Sequence, residues 1–249
     1  MKITHLGSGS RGNSVLLSTG ESNVLVDCGF SLKKTESRLD KLSVNPKDID
    51  SIIVTHHHSD HSKSAKRAAK KWGARLISNA ETAKRMQWED SENLLVFSEL
   101  ERIDAGVDLS LLTIPVPHDD ADNVAVIACD DKGRRAAVVT DLGEVTAELS
   151  SHLRKCDHIS IESNYDHDRL MRGNYPDSLK RRISGRGGHL SNSQTASALS
   201  EIVHPELSSI VLCHLSESNN LPHIAESEVL MEICDNFNGS LSISKQDGP

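Results

Sequence analysis

The sequence predicts an α/β protein built in layers. Short runs of β-branched and other apolar residues recur along the whole chain, and stretches with helical spacing stand between them. Several of the apolar runs end in a histidine or a carboxylate, so the pattern that suggests a sheet also suggests a site at its edge. Hydrophobic residues make up 37% and charged residues 26% of the 249-residue chain, the balance of a globular protein with a sizeable core. Aromatics are only 3%, so that core rests on Ile, Leu, Val and Ala.

In chain order, strands are expected at 3–6, 14–18 and 23–27, with the glycine- and serine-rich stretch 7–14 as the loop joining the first two. An amphipathic helix is expected over 31–42. The run Ser51-Ile52-Ile53-Val54-Thr55 reads as a buried strand, and 62–72 as the helix after it. A short strand at 76–78 and a helix over 80–86 follow, then strands at 108–115 and 124–129. In the second half, strands are expected at 136–140, 158–161 and 209–213, and helices at 193–203 and 224–237. No repeat, low-complexity tract or long linker interrupts the chain, so residues 1–249 are expected to form a single domain.

No apolar run approaches the ~20 residues of a membrane span, and the first seven residues read as a strand rather than a signal segment. A cytoplasmic protein with no membrane partner is expected. The five cysteines, Cys28, Cys129, Cys156, Cys213 and Cys234, are scattered and form no C-x-x-C pair, which argues against a disulfide framework or a cysteine zinc site. The net charge of −8 argues against binding nucleic acid through overall charge. Local basic groups remain: Lys63, Lys66, Arg67, Lys70 and Lys71 on one helix, and Lys180, Arg181, Arg182 and Arg186 in a second cluster. The first reads as a solvated face and the second as a place for phosphate contacts.

The densest chemistry is His56-His57-His58-Ser59-Asp60-His61. Imidazoles and a carboxylate are the ligands that divalent zinc, manganese or iron accept. Four of them this close cannot all reach one ion, so the spacing suggests two adjacent metals on the loop that ends a strand. His57 and Ser59 fill the intervening positions, and His57 is expected to point away. Further along, apolar runs end at His118, Asp141 and His214.

A His-x-His-x-Asp-His loop followed by a single His, an Asp and a final His resembles the metallo-β-lactamase-fold hydrolases, over nearly the whole chain. The turn Asp27-Cys28-Gly29 fits the same pattern. The resemblance implies an α/β fold of the αββα type, a sandwich of two mixed β-sheets flanked by helices. It also implies two divalent metal ions, with His56, His58 and His118 on one, Asp60, His61 and His214 on the other, and Asp141 bridging them. Zinc, manganese and iron stay open as the metal.

The stretches around Glu162-Ser163-Asn164-Tyr165, Gly188-His189-Leu190-Ser191-Asn192 and His214-Leu215-Ser216, with the loop Gly7–Ser14, resemble the YycJ/WalJ exonucleases and, more distantly, ribonuclease Z. That implies a 5′-to-3′ exonuclease on double-stranded DNA, in DNA repair, acting through a hydroxide that bridges the metals. It implies Asp60, Glu162 and His189 as catalytic residues: Asp60 binding metal and orienting the nucleophile, His189 contacting the scissile phosphate or protonating the leaving oxygen, Glu162 orienting His189. Ser191, Asn192, Asn219 and Asn220 could bind phosphate oxygens or hold loops. RNA or a small phosphodiester stays open as substrate, as does hydrolysis of a thioester or lactone. Oligomeric state is not legible.

Overall fold

The computed structural model describes residues 1–98, 100–119 and 121–248. They form two mixed β-sheets flanked by helices. The chain divides into two compact units, Met1–Ile114 with Val126–Arg134 and Lys245–Pro249, and Pro115–Ala125 with Arg135–Ser244.

The first unit is built from β1 (Lys2–Gly7), β2 (Ser14–Ser18), β3 (Asn23–Val26), α1 (Leu32–Lys41), β4 (Ser51–Ile53), α2 (Ser59–Ser62), α3 (Ala65–Trp72), β5 (Arg75–Ser78), α4 (Ala80–Arg85), β6 (Leu94–Val96) and β7 (Arg102–Asp104). Its six-stranded sheet runs in order β1-β2-β3-β4-β5-β6, antiparallel over β1-β2-β3 and parallel from β3 to β6. Leu25 and Val26 of β3, Ile52 and Ile53 of β4, and Leu76 and Ile77 of β5 are buried at successive positions because both faces of these parallel strands are covered. Leu25, Ile52 and Leu76 pack in one core cluster with Leu39 of α1 and with Trp72 and Trp88. Side-chain caps start the helices: Ser31 accepts from Lys34 N on α1, and Asn79 accepts from Thr82 N on α4. Gly73, left-handed at φ 81°, stops α3.

Of the helix expected over 62–72, residues Ala65–Trp72 form α3, while Ser62 ends a separate short helix, α2. Ser64 divides them because its hydroxyl donates to Phe30 O at 2.5 Å, tying the junction to the loop before α1. As a result Asp60 and His61 lie on a helical turn, not on a loop.

The ten-residue strands β8 (Leu109–His118) and β9 (Ala121–Asp130) contribute to both units. Strand β8 was expected to stop at 115 but continues through Pro115 and Pro117. Strand β7 pairs with it only from Ser110 to Leu112. Thr113 O turns to that side, toward Leu100 N, and Pro115 and Pro117 share its parity. Their missing N–H groups therefore fall where β7 has ended.

The second unit adds β10 (Arg135–Val139), α5 (Ala147–Leu153), β11 (His158–Glu162), α6 (His167–Arg172), α7 (Asp177–Ile183), α8 (Asn192–Ile202), β12 (Ser209–Cys213), α9 (Pro222–Ile233) and β13 (Ser240–Ile243). Strands β10 to β13 run parallel, paired Ala136↔His158, His158↔Ser209 and Ser209↔Ser240. Ser191 and Gln194 close a capping box on α8, which packs on α9. The parallel register lines up the ends of β10, β11 and β12, where Glu162 closes β11 and Asp141 and His214 follow β10 and β12, the edge where α/β sheets place their sites.

Candidate metal centre

Within the first unit, the edge formed by β3 and β4 carries Asp27 and the run into His56. Asp27 is left-handed at φ 64°, a conformation that an acidic residue tolerates better than an apolar one. Its Oδ1 accepts from Thr55 N at 2.9 Å, and its Oδ2 lies 2.7 Å from His61 Nδ1. A carboxylate only accepts, so His61 carries its proton on Nδ1 and presents the Nε2 lone pair. That Nε2 meets the Asn13 amide at 3.0 Å, and Asn13 also donates to Asp60 Oδ2 at 3.3 Å.

The neighbouring imidazoles gather tightly. His56 lies with ring centroids 4.6 Å from His58 and 4.3 Å from His61. His57 turns toward Arg85, its Nε2 3.4 Å from Arg85 Nη1. Backbone bonds hold the turn: Asn13 N donates to Asp60 O at 2.7 Å and Cys28 N to His61 O at 2.8 Å. Gly29 is required there, since a Cβ would lie 1.6 Å from Asp60 O.

Within the second unit, His118 ends β8 and donates from Nδ1 to Gly188 O at 3.0 Å. Asp141 follows β10 and His214 follows β12, both left-handed, at φ 56° and 53°. Glu162 is the hub. Its Oε1 lies 2.7 Å from His214 Nδ1 and 2.9 Å from His189 Nδ1, while Oε2 accepts from Leu142 N and Leu190 N. Asp141 Oδ1 is 2.9 Å from His214 Nδ1 and 3.2 Å from His189 Nδ1.

Burial, the largest influence on Glu162, raises its carboxyl, but the charges and hydrogen bonds of His189 and His214 outweigh it and hold the group at about 2. For His189, burial pushes the imidazole down. Glu162 and Asp141 outweigh that and lift it to about 9, so it is protonated at neutral pH.

The donor chemistry fits divalent metal. His61, His118 and His214 each have Nδ1 engaged by an acceptor, carboxylate or carbonyl, which directs Nε2 outward as a ligand atom. Carboxylates stand in the same clusters, Asp60 in the first unit and Asp141 in the second.

Sequence reasoning missed the groups that orient these imidazoles. Asp27 was visible only as part of a turn signature, Asn13 only as part of a flexible-looking loop. Glu162 was assigned one partner and has two. The second basic cluster has partners that the sequence did not show. Arg182 is bound to Asp119 at 2.6 Å, Arg186 to Glu144 at 2.6 Å, and Lys180 donates to Met171 O. Ser191 caps α8. Asn192 and Asn220 bond each other, Asn192 accepts from the Ser163 hydroxyl and Asn220 donates to Ser163 O and Asn164 O, so these polar residues hold loops together. On the basic helix, Lys66 pairs with Asp90 and Lys71 with Glu36.

The profile of the Metallo-beta-lactamase superfamily matches residues 7–214. The chain belongs to the metallo-β-lactamase superfamily. It is a hydrolase of that superfamily, and its His/Asp clusters suit divalent metal. This metallo-β-lactamase-fold chain is 33% identical over 233 residues to a Bacillus anthracis protein called exodeoxyribonuclease YycJ, covering 90% of this chain and 86% of that one. It is also 33% identical over 239 residues to exodeoxyribonuclease WalJ of Streptococcus pneumoniae, covering 93% and 88%. The crystal structure of the metallo-β-lactamase-fold protein YhfI from Bacillus subtilis shares the fold, with a TM-score of 0.76 at 16% identity over 98% of this chain and 96% of that one. Among the described residues, no helix is long and apolar enough to cross a membrane.

Proposed function

We propose that this chain is a metal-dependent exonuclease that digests double-stranded DNA from 5′ to 3′. The observation that carries this reading is its 33% identity, over 90% and 93% of its length, to two proteins named exodeoxyribonucleases. In this reading the two units work as one catalytic domain. His56, His58 and His118 hold one ion, Asp60, His61 and His214 hold a second, and Asp141 serves both. The order of these residues in the chain and its superfamily membership support the assignment. Zinc and manganese both suit the donor set. Bound there, the ions supply a water activated near neutral pH and positive charge at the phosphate oxygens.

The chain's own groups do the rest. Asp27 and Glu162 fix the tautomers of His61 and His214. Asp60 orients the attacking water. His189, kept protonated by Glu162 and Asp141, keeps its Nδ1 proton toward those carboxylates and offers its Nε2 proton to stabilise or protonate the leaving oxygen. A cytoplasmic role in DNA repair follows from the same reading.

The test is a substrate panel: duplex DNA labelled at the 5′ or the 3′ end, the equivalent RNA, a small phosphodiester, and a thioester and a lactone. Mononucleotides released first from the 5′ end of DNA support the proposal. Turnover of only the small esters overturns it.

A further inference from the structure

In the first unit the segment Lys245–Gly248 lies across the loop that carries Asn13. Gln246 anchors it. Its Oε1 accepts from Arg11 N at 2.8 Å, its Nε2 donates to Gly12 O at 3.0 Å, and its carbonyl accepts from Arg38 Nη2 at 3.2 Å. Gly7 and Gly9, both at positive φ, leave room for this segment, since a Cβ on either would lie 2.6 Å from an oxygen of Gln246.

The next residue behaves differently. Three cationic side chains converge on the Asp247 carboxylate: Lys34 Nζ at 3.2 Å, Arg11 Nη2 at 3.4 Å and Arg38 Nη2 at 3.6 Å. Asp247 is 69% exposed, and Arg11 and Lys34 are also open to solvent, so these pairs are weak and exchangeable. Arg38 is not open: its side chain is only 4% exposed, stacked on the Phe30 ring at 3.9 Å and fixed by Leu6 O at 2.6 Å. A guanidinium desolvated beside a second arginine is an unfavourable arrangement that an anion relieves.

We infer that Arg11, Lys34 and Arg38 form a binding site for a phosphate group of the substrate, and that Asp247 occupies it as a displaceable internal anion. A phosphate offers more charge and more acceptor oxygens than one carboxylate, and the arginine forks match its geometry. Arg11 lies on the loop whose Asn13 touches Asp60 and His61, so a nucleotide held there is tied to the metal ligands through three residues of chain, 11–13. The inference deepens the nuclease reading and rests on it for the nature of the substrate. The phosphate is either the terminal monoester or an internal diester of the strand.

The test uses metal-loaded protein. Inorganic phosphate is titrated while the amides of 8–13 and 246–248 are followed by NMR. Duplexes with phosphorothioate linkages, bearing a 5′-phosphate or a 5′-hydroxyl, are then bound in anisotropy assays. Asp247→Asn is expected to tighten phosphate and duplex binding about three- to tenfold, and Arg11→Ala with Lys34→Ala to weaken both about tenfold. Loss of any preference for the 5′-phosphate in the double variant assigns the terminal group. Equal weakening of both duplexes assigns a backbone phosphate. Amides that do not move, with duplex affinity unchanged in both variants, overturn the site. A phosphate site that responds to Asp247→Asn in a protein that cuts no DNA would leave the site standing and remove the nuclease reading.

Discussion

Glu162 reaches His214 through a buried hydrogen bond of 2.7 Å from Nδ1 to Oε1, and His214 holds a left-handed backbone at φ 53° to meet it. Three residues that follow strands, Asp27, Asp141 and His214, share this left-handed kink, as strained residues at functional sites often do. A carboxylate behind an imidazole fixes which nitrogen faces outward. Glu162→Gln keeps the size but removes the charge that His214 and His189 both use. Metal affinity is expected to fall about 10- to 100-fold, read by competition with a chromogenic chelator. Unchanged affinity would mean that His214 needs no orienting partner.

Asp27 plays the same part for His61 in the first unit. Asp27→Asn keeps an acceptor for Thr55 N and tolerates the left-handed backbone. The fold should survive while metal affinity drops, again by about 10- to 100-fold. Isothermal titration with zinc checks this, and full affinity with a normal melting curve would remove Asp27 from the site.

His189 should separate catalysis from metal binding. His189→Gln removes the protonated imidazole but leaves Asp141 and His214 in place. Turnover is expected to fall roughly 10²- to 10⁴-fold, with metal content within error of wild type. A protein that loses its metal together with its activity would instead make His189 a ligand.

Gly29→Ala tests the backbone contact under Asp60. A Cβ there meets Asp60 O at 1.6 Å and Asp60 C at 2.2 Å, main-chain atoms that cannot rotate away. The turn must move, at a cost of about 1–3 kcal/mol or more, and metal affinity should fall with it. Gly20→Ala, which meets nothing within 4 Å, is the control and should change stability by less than about 0.5 kcal/mol. Chemical denaturation of the two variants decides it.

His158 is buried between the hydroxyls of Ser209, at 2.6 Å, and Ser160, at 2.9 Å, and burial lowers its imidazole to about 4. Above pH 6.5 the imidazole is neutral in both folded and unfolded chains. As pH falls from 6.5 toward 4, the unfolded chain takes a proton that the folded one refuses, so stability declines, by up to ~3 kcal/mol, and levels off below 4. His158→Gln should flatten that part of the urea-stability profile relative to wild type. Parallel profiles would contradict the assignment.

Much of this was legible because the ligands follow strands. The run Ser51–Thr55 before His56, the run before Asp141 and the run before His214 are apolar enough to be read alone, and their imidazoles and carboxylates are chemically conspicuous. The helices starting at Leu32 and Asn192 carry N-cap serines, and their limits were close. Strand β13, Ser-Leu-Ser-Ile, is too short and polar to stand out, and α6 and α7 have only six and seven residues. The orienting groups were hidden for another reason. Asp27 and His61 are 34 positions apart, and Glu162 and His214 are 52 apart. Their pairing depends on strand register, which no local pattern contains. Asp119 and Glu144, the partners of Arg182 and Arg186, are 63 and 42 positions away and equally beyond a local pattern.

The most direct test of the account is nucleotide release from a 5′-phosphorylated DNA duplex by metal-stripped protein, measured before and after adding Mn²⁺ or Zn²⁺, beside Asp60→Ala. The account predicts no release without metal, release when metal returns, and none from Asp60→Ala under any condition. Release that persists in the stripped protein, or an Asp60→Ala variant as active as wild type, would contradict it.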